Sequence, residues 1–172
     1  LTVADEVAAY LAERGVTCVF GIIGAGNMSL FDAIDRLGRT TVVCCHHEQA
    51  AVMAAAAYYR VSGVVTAALV TTGAGSSNAL TGVLSAYMDS IPLVVLAGNE
   101  ASTRRTIGRA RGVQGYDSVA VAAPMTKRAH RVEFGHGRMS ACLFDSFLTA
   151  ECGRPGPIWI EIPMDVAASE AA

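Results

Sequence analysis

Short apolar runs alternate with segments of helical period along this chain. TCVFGI (17–22), TTVVCC (40–45), VVTAALV (64–70), PLVVLAG (92–98), MTKRAHRV (125–132) and PIWIEI (157–162) each have the length and composition of a strand. Between them, 2–14, 28–37, 48–60, 77–89 and 136–151 read as helices. The first four strands are near-continuously apolar, the pattern of strands covered on both faces. This alternation predicts an α/β fold: a doubly wound, mostly parallel six-stranded sheet with helices on both faces. The stretch 98–118, GNEASTRRTIGRARGVQGYDS, exceeds usual loop lengths and carries four arginines and four glycines, so it is a candidate functional loop.

Composition sharpens this picture. The 172 residues suit one domain, with 1–166 as its body and 167–172, at the AASEAA end, as the start of a linker. Only 16% of residues are charged and 52% are hydrophobic, less polar cover than a typical domain has, so part of the surface is expected to face other protein. Thirteen basic and fifteen acidic residues give a net charge of −2, without the lysine clusters that follow a phosphate backbone; nucleic acid is not an expected partner. Neither a membrane-spanning run nor a signal peptide is evident in the sequence. Five cysteines without regular spacing suit reduced thiols, hence a soluble, cytoplasmic protein.

In open α/β sheets, ligands bind beyond the carboxyl ends of the strands. Four segments fall there: GAGN (24–27), HHEQ (46–49), TTGAGSSN (71–78) and GNE (98–100). GIIGAGNMSLF resembles a dinucleotide fingerprint in part, but its third glycine position holds Met28 or Ser29, and a tight strand-to-helix turn is the commoner use of such glycines. Cys44, Cys45, His46 and His47 carry zinc-ligand atoms, yet consecutive residues of a strand point to opposite faces; a buried strand end explains the cysteines and polar contacts the histidines. Glu48 begins a helix rich in alanine, where the helix dipole stabilises a carboxylate whether or not it has a chemical role. The local sequence leaves both readings open. TTGAGSSN can hold an anion or simply cap a helix, and it lacks the G-x-S-x-G elbow of a serine nucleophile.

Taken in order, GIIGAGNMSLFDAI, HHEQAAVMAAAAYYRVSG, LVTTGAGSSNALTGVLSAYMDSIPLVVLAG, VQGYDSVAVAAPMTKRAHRV and GRPGPIWIEIPMDV resemble the pyrimidine-binding domain of thiamin-diphosphate enzymes of the acetolactate synthase and pyruvate oxidase group. The resemblance implies that Glu48 hydrogen-bonds N1′ of the aminopyrimidine ring and is catalytic. It places Ile23, where many relatives carry proline, and Gly24 beneath that ring, with Thr71, Thr72, Gly75 and Asn78 along the cofactor. Thr71 falls where some decarboxylases of the wider family hold a catalytic histidine, which favours a carboligase. Gln114 matches the glutamine of a substrate-proximal loop and is the second catalytic candidate; Val113 replaces the usual phenylalanine beside it.

By the same resemblance the cofactor is thiamin diphosphate. The Mg²⁺ and diphosphate site belongs to a domain that this sequence lacks, since no GDG motif with a downstream asparagine is present, and this chain carries no metal site of its own. FAD is a further cofactor that the resemblance allows. The implied reaction is decarboxylation of a 2-keto acid followed by transfer to a second carbonyl, in a homodimer or homotetramer, with this chain as a piece of a longer protein or a split subunit. A related oxidase, decarboxylase or C–C hydrolase, a non-catalytic subunit, and an NAD(P)-binding module are the alternatives.

Overall fold

Six parallel strands form one sheet in the order β2-β1-β3-β4-β6-β5 in a computed structural model that describes residues 1–104, 114–135 and 137–171. The strands are β1 (Cys18–Gly21), β2 (Thr41–Cys44), β3 (Ala67–Val70), β4 (Leu93–Asn99), β5 (Arg128–Arg131) and β6 (Pro157–Pro163). The helices are α1 (Val3–Glu13), α2 (Met28–Leu37), α3 (Glu48–Ser62), α4 (Ala74–Asn78), α5 (Leu80–Met88), α6 (Ser118–Ala122), α7 (Met139–Glu151) and α8 (Met164–Ala168). Every pairing in the sheet is parallel, so the expected α/β architecture is present with no antiparallel strand in it.

Alternate residues of the central strands enter two separate cores, as the two-residue period of a strand requires. Ala67, Leu69, Val94, Leu96, Ile158, Ile160 and Ile162 join a core with α1, α2, α7 and α8. Ala68, Val70, Leu93, Val95, Ala97 and Trp159 join the opposite core with α3, α5 and α6. Strands β3, β4 and β6 are buried at every residue, which is why β3 and β4 read as near-continuous apolar runs, while β6 buries Glu161 with Ser118 and Arg131 as its partners.

Strand β2 departs from expectation. It lies at the sheet edge with β1 as its one neighbour, and Thr41, Val43 and Cys44 are exposed rather than covered on both faces. Apolar character there does not imply a core in this chain. The helix expected over 77–89 is two pieces: Gly73, with φ +64°, turns the chain so that α4 begins at Ala74, and α5 follows after Ala79. The fifth strand starts at Arg128 rather than 125 because Ala123–Met125, with Pro124, forms a 3₁₀ turn. Helices α6 and α8 were not legible as separate elements.

Local chemistry sets several boundaries. Thr2 caps α1 in a reciprocal box with Asp5, the Thr2 hydroxyl accepting from Asp5 N–H and the Asp5 carboxylate from Thr2 N–H. Gly38 and Gly63 end α2 and α3 in the left-handed conformation. Within the segment 167–172, Ala167 is buried and Glu170 forms an antiparallel bridge with Thr2. All five cysteines are unpaired, and among the described residues no helix is long and apolar enough to cross a membrane.

Two predictions follow from this packing. Trp159, the single tryptophan, is fully buried with its indole N–H donating to Ser118 Oγ at 3.1 Å, so its emission reports unfolding. Leu96→Ala, which empties a fully buried site, is expected to cost about 2–5 kcal/mol in urea unfolding followed by that emission. Burial pushes the Asp165 carboxyl up, but hydrogen bonds from the Ser102 hydroxyl and from Ser102 and Val166 N–H outweigh it and hold the group below its ordinary value. A carboxylate depressed in the folded state contributes stability above the unfolded value of about 3.9, and that contribution is lost as pH falls through the lower folded value. The urea midpoint should therefore fall below about pH 4 in the wild type and fall less steeply in Asp165→Asn.

Candidate active site at the carboxyl ends of the strands

The strand order reverses direction between β1 and β3: the chain leaves β1 for β2 on one side, and leaves β3 for β4 on the other. Such a switch point opens a crevice between the two following loops. Here the loops touch at backbone distance. A Cβ on Gly24 would lie 2.5 Å from Thr71 Oγ1, one on Gly26 would lie 2.2 Å from Thr72 Oγ1, and one on Gly98 would lie 2.2 Å from Gly26 O. No side chain fits at these three positions without moving backbone or the threonines. Gly26 N–H also donates to Thr71 Oγ1 at 3.2 Å.

Asn27 holds the first loop in shape. It is fully buried; its Oδ1 accepts from Gly24 N–H at 2.8 Å and its Nδ2 donates to Ile22 O at 3.1 Å. Sequence reading did not single it out, although an asparagine closing a Gly-x-Gly turn is a usable signal, because that side chain mimics backbone in turns. The turn leaves Ile23 55% exposed at the rim and Gly24 half-buried behind it. The glycines of GAGN are thus accounted for by loop-to-loop packing.

Glu48 is the first residue of α3 and is only 8% exposed. His47 is the N-cap, its Nδ1 accepting from Gln49 N–H at 3.2 Å, and His46 is exposed. Cys45 is half-buried, but Cys44 is exposed, which corrects the expectation of a buried strand end: β2 is the sheet's edge. Among the described residues no three His, Cys, Asp or Glu side chains gather where they could hold a metal. Asn78 Nδ2, from the last residue of α4, donates to Glu48 Oε2 at 3.1 Å. Oε1 faces Gly75, where a Cβ would lie 3.3 Å from that oxygen and 2.6 Å from Thr71 Cγ2. The small residues of α3 let this happen: Ala51, Val52 and Ala55 are fully buried, and Gly82 of α5 packs so closely on Val52 that a Cβ there would come within 2.8 Å.

Gln114 closes the same rim. A Cβ on Gly73 would lie 2.3 Å from Gln114 Cβ, so the 114–116 segment lies directly on the turn that starts α4. Its supports run inward: Asn99 Nδ2 donates to Tyr116 O at 2.9 Å, and Ser118 bonds buried Glu161, which also pairs with Arg131. For Arg131, burial lowers the pKa, but the neighbouring Glu161, with Asp117 and Glu133, outweighs it and holds the guanidinium above its ordinary value. Val113 lies outside the described residues. The structure therefore brings Ile23, Gly24, Glu48, Thr71, Thr72, Gly75, Asn78 and Gln114 to one rim, from four separate parts of the chain.

A desolvated carboxylate oriented by an amide is suited to holding the N–H of a heterocyclic ring nitrogen, and bare glycine surface at Gly24 and Gly75 suits the approach of a flat ring. The donor set fits an aminopyrimidine, whose ring nitrogen and amino group match a carboxylate beside a carboxamide.

Comparison with known proteins shows the family. The family model described as "Thiamine pyrophosphate enzyme, N-terminal TPP binding domain" matches residues 1–121. The acetolactate synthase isozyme 3 large subunit of Escherichia coli (strain K12) is 39% identical over 166 residues, 96% of this chain and 28% of the relative. The acetolactate synthase large subunit of Haemophilus influenzae is 38% identical over 165 residues, again 96% and 28%. The acetolactate synthase of Bacillus subtilis (strain 168) is 36% identical over 163 residues, 95% and 28%. The chain spans little more than a quarter of the length of these relatives. The matched family model, together with the six-stranded parallel sheet, makes this chain a member of the thiamine pyrophosphate enzyme family, as the N-terminal TPP-binding domain.

Proposed function

We propose that this chain is the pyrimidine-binding half of an acetolactate synthase-like enzyme, which decarboxylates a 2-keto acid and transfers the remaining acyl fragment to a second carbonyl. The observation that carries the reading is the buried Glu48 carboxylate, held by Asn78 against Gly75 at the switch point of the sheet. Bound thiamin diphosphate supplies electron-sink chemistry at carbon. Glu48 holds a proton at the pyrimidine nitrogen, and its poor solvation makes that contact strong. Asn78 fixes the carboxylate so that one oxygen is committed and the other is free to face the ring. Thr71 gives its oxygen to Gly26 N–H and so shapes the wall of the cleft; a threonine there offers no acid or base near neutral pH, which supports a carboligase over a simple decarboxylase.

The diphosphate end, its Mg²⁺ and any FAD fall to domains beyond this chain. A groove between α3 and α5, lined by Met53, Ala56, Ser85 and Ile91 with Leu84 and Met88 exposed on α5, supports a protein neighbour, either another domain or a second subunit of a homodimer or homotetramer. Five unpaired cysteines suit the cytoplasm.

The test is acetolactate and CO₂ formation from pyruvate by the full-length protein with thiamin diphosphate and Mg²⁺. Glu48→Gln keeps the size and polarity of the side chain but removes its charge, and is expected to lower kcat by about 100-fold or more with the far-ultraviolet circular dichroism unchanged. Full activity in Glu48→Gln, or a wild type that binds no thiamin diphosphate, would sink the reading. Asn78→Ala removes a hydrogen bond to a charged group and should lower kcat/KM by about tenfold or more. Gly75→Ala, whose new methyl meets Thr71 and Glu48, should raise the cofactor Kd, read by titration of protein fluorescence.

A further inference from the structure

Gln114 lies at the rim with an exposed side chain, and the tyrosine two residues on is what ties it down. Ser76 of α4 is 1% exposed, and its Oγ lies 2.9 Å from Tyr116 Oη and 3.0 Å from Gly73 O. A serine hydroxyl carries one hydrogen, so both contacts are satisfied together when Ser76 donates to Gly73 O and the Tyr116 phenol donates to Ser76. Burial pushes the Tyr116 phenol above its ordinary pKa, more than the Ser76 contact lowers it, which keeps that hydrogen in place. The backbone of the same residue is fixed by Asn99, at the end of β4. Gln114 is thereby pressed onto Gly73, two residues from the Gly75 that faces Glu48.

We propose that Tyr116 is a positioning residue: through its hydroxyl pair with Ser76 it holds the Gln114 carboxamide over Gly73, and so favours transfer of the donor fragment to a second carbonyl over its release. The inference rests on the carboligase reading. In both outcomes CO₂ has already left. In transfer, the donor carbon bonds to the acceptor carbonyl carbon, whose oxygen takes a proton; in release, the donor carbon takes a proton instead. In both, the product would leave as the donor's own hydroxyl gives up its proton to become a carbonyl and the bond holding the donor carbon to the cofactor breaks, giving a hydroxyketone in the first case and an aldehyde in the second. A carboxamide N–H held at a fixed place can bind the acceptor's oxygen and keep the acceptor near the donor, whereas a carboxamide free to swing admits water, the proton source for release.

The full-length protein, with thiamin diphosphate and Mg²⁺ and supplied with pyruvate, provides the test through its ratio of acetolactate to acetaldehyde and through KM. Tyr116→Phe and Ser76→Ala are each expected to raise the aldehyde share about threefold or more, the effect of one lost hydrogen bond, and to raise KM more than they lower the rate of CO₂ release. The double variant should match the singles, because both remove one contact. An unchanged product ratio in both singles overturns the proposal. Amide hydrogen exchange across 114–117 is read in the same proteins and does not depend on turnover: faster exchange in Tyr116→Phe supports the anchor, and unchanged exchange overturns it. If the wild type binds cofactor yet releases no CO₂ from pyruvate or 2-ketobutyrate, the carboligase reading falls and the transfer role with it, while the exchange still decides whether Tyr116 holds Gln114.

Discussion

The close approach of the loops after β1 and β3 and of the carboxyl end of β4 is the constraint on which the rest of this domain depends. Where Gly24 and Gly26 meet Thr71 and Thr72, and Gly98 meets Gly26, backbone stands where a side chain would otherwise be. Strands side by side in a sheet are about 4.8 Å apart, but the loops that follow them normally diverge. Here Asn27 turns the first loop back and the glycines let the three segments meet, so the crevice at the switch point is lined closely by backbone. The position of Glu48 follows, since its carboxylate is set against Gly75, which is itself packed on Thr71.

A second consequence concerns electrostatics. Glu48 is buried at the start of a helix, where the aligned peptide dipoles favour negative charge, and its oriented partner is an uncharged amide rather than a lysine or arginine. A cation would neutralise the carboxylate and occupy the place of a ligand nitrogen. The arginine and glutamate that do pair in the interior, Arg131 and Glu161, lie beneath α6, where their task is to fix the segment that carries Tyr116 and Gln114.

Much of this was legible in the sequence because the relevant signals are local. Near-continuous apolar runs marked β3 and β4, and Glu48 stood out as an acid beginning an alanine-rich helix. What escaped depended on neighbours remote in the chain. Nothing in TTVVCC announces an edge strand, because edge position is set by the topology of the other five. The break between α4 and α5 depends on the turn at Gly73 and on Gln114 lying across it, a contact between residues 41 positions apart in the chain. Asn27 was passed over because its role appears only once the turn is closed. The chemical meaning of the rim came from the ordered resemblance of five segments, since each alone has a bland explanation.

The glycine contacts at the rim also bear on how such a domain can change over evolutionary time. A substitution at position 24, 26, 75 or 98 must displace a neighbouring loop before it can alter the cleft, so these positions are closed to gradual exploration. Ile23, Ala25, Ala74 and Ser77, by contrast, point outward from the same turns and are exposed. Change at those four places need not move a loop, which separates the closely packed part of the rim from the part of it that is free to diverge.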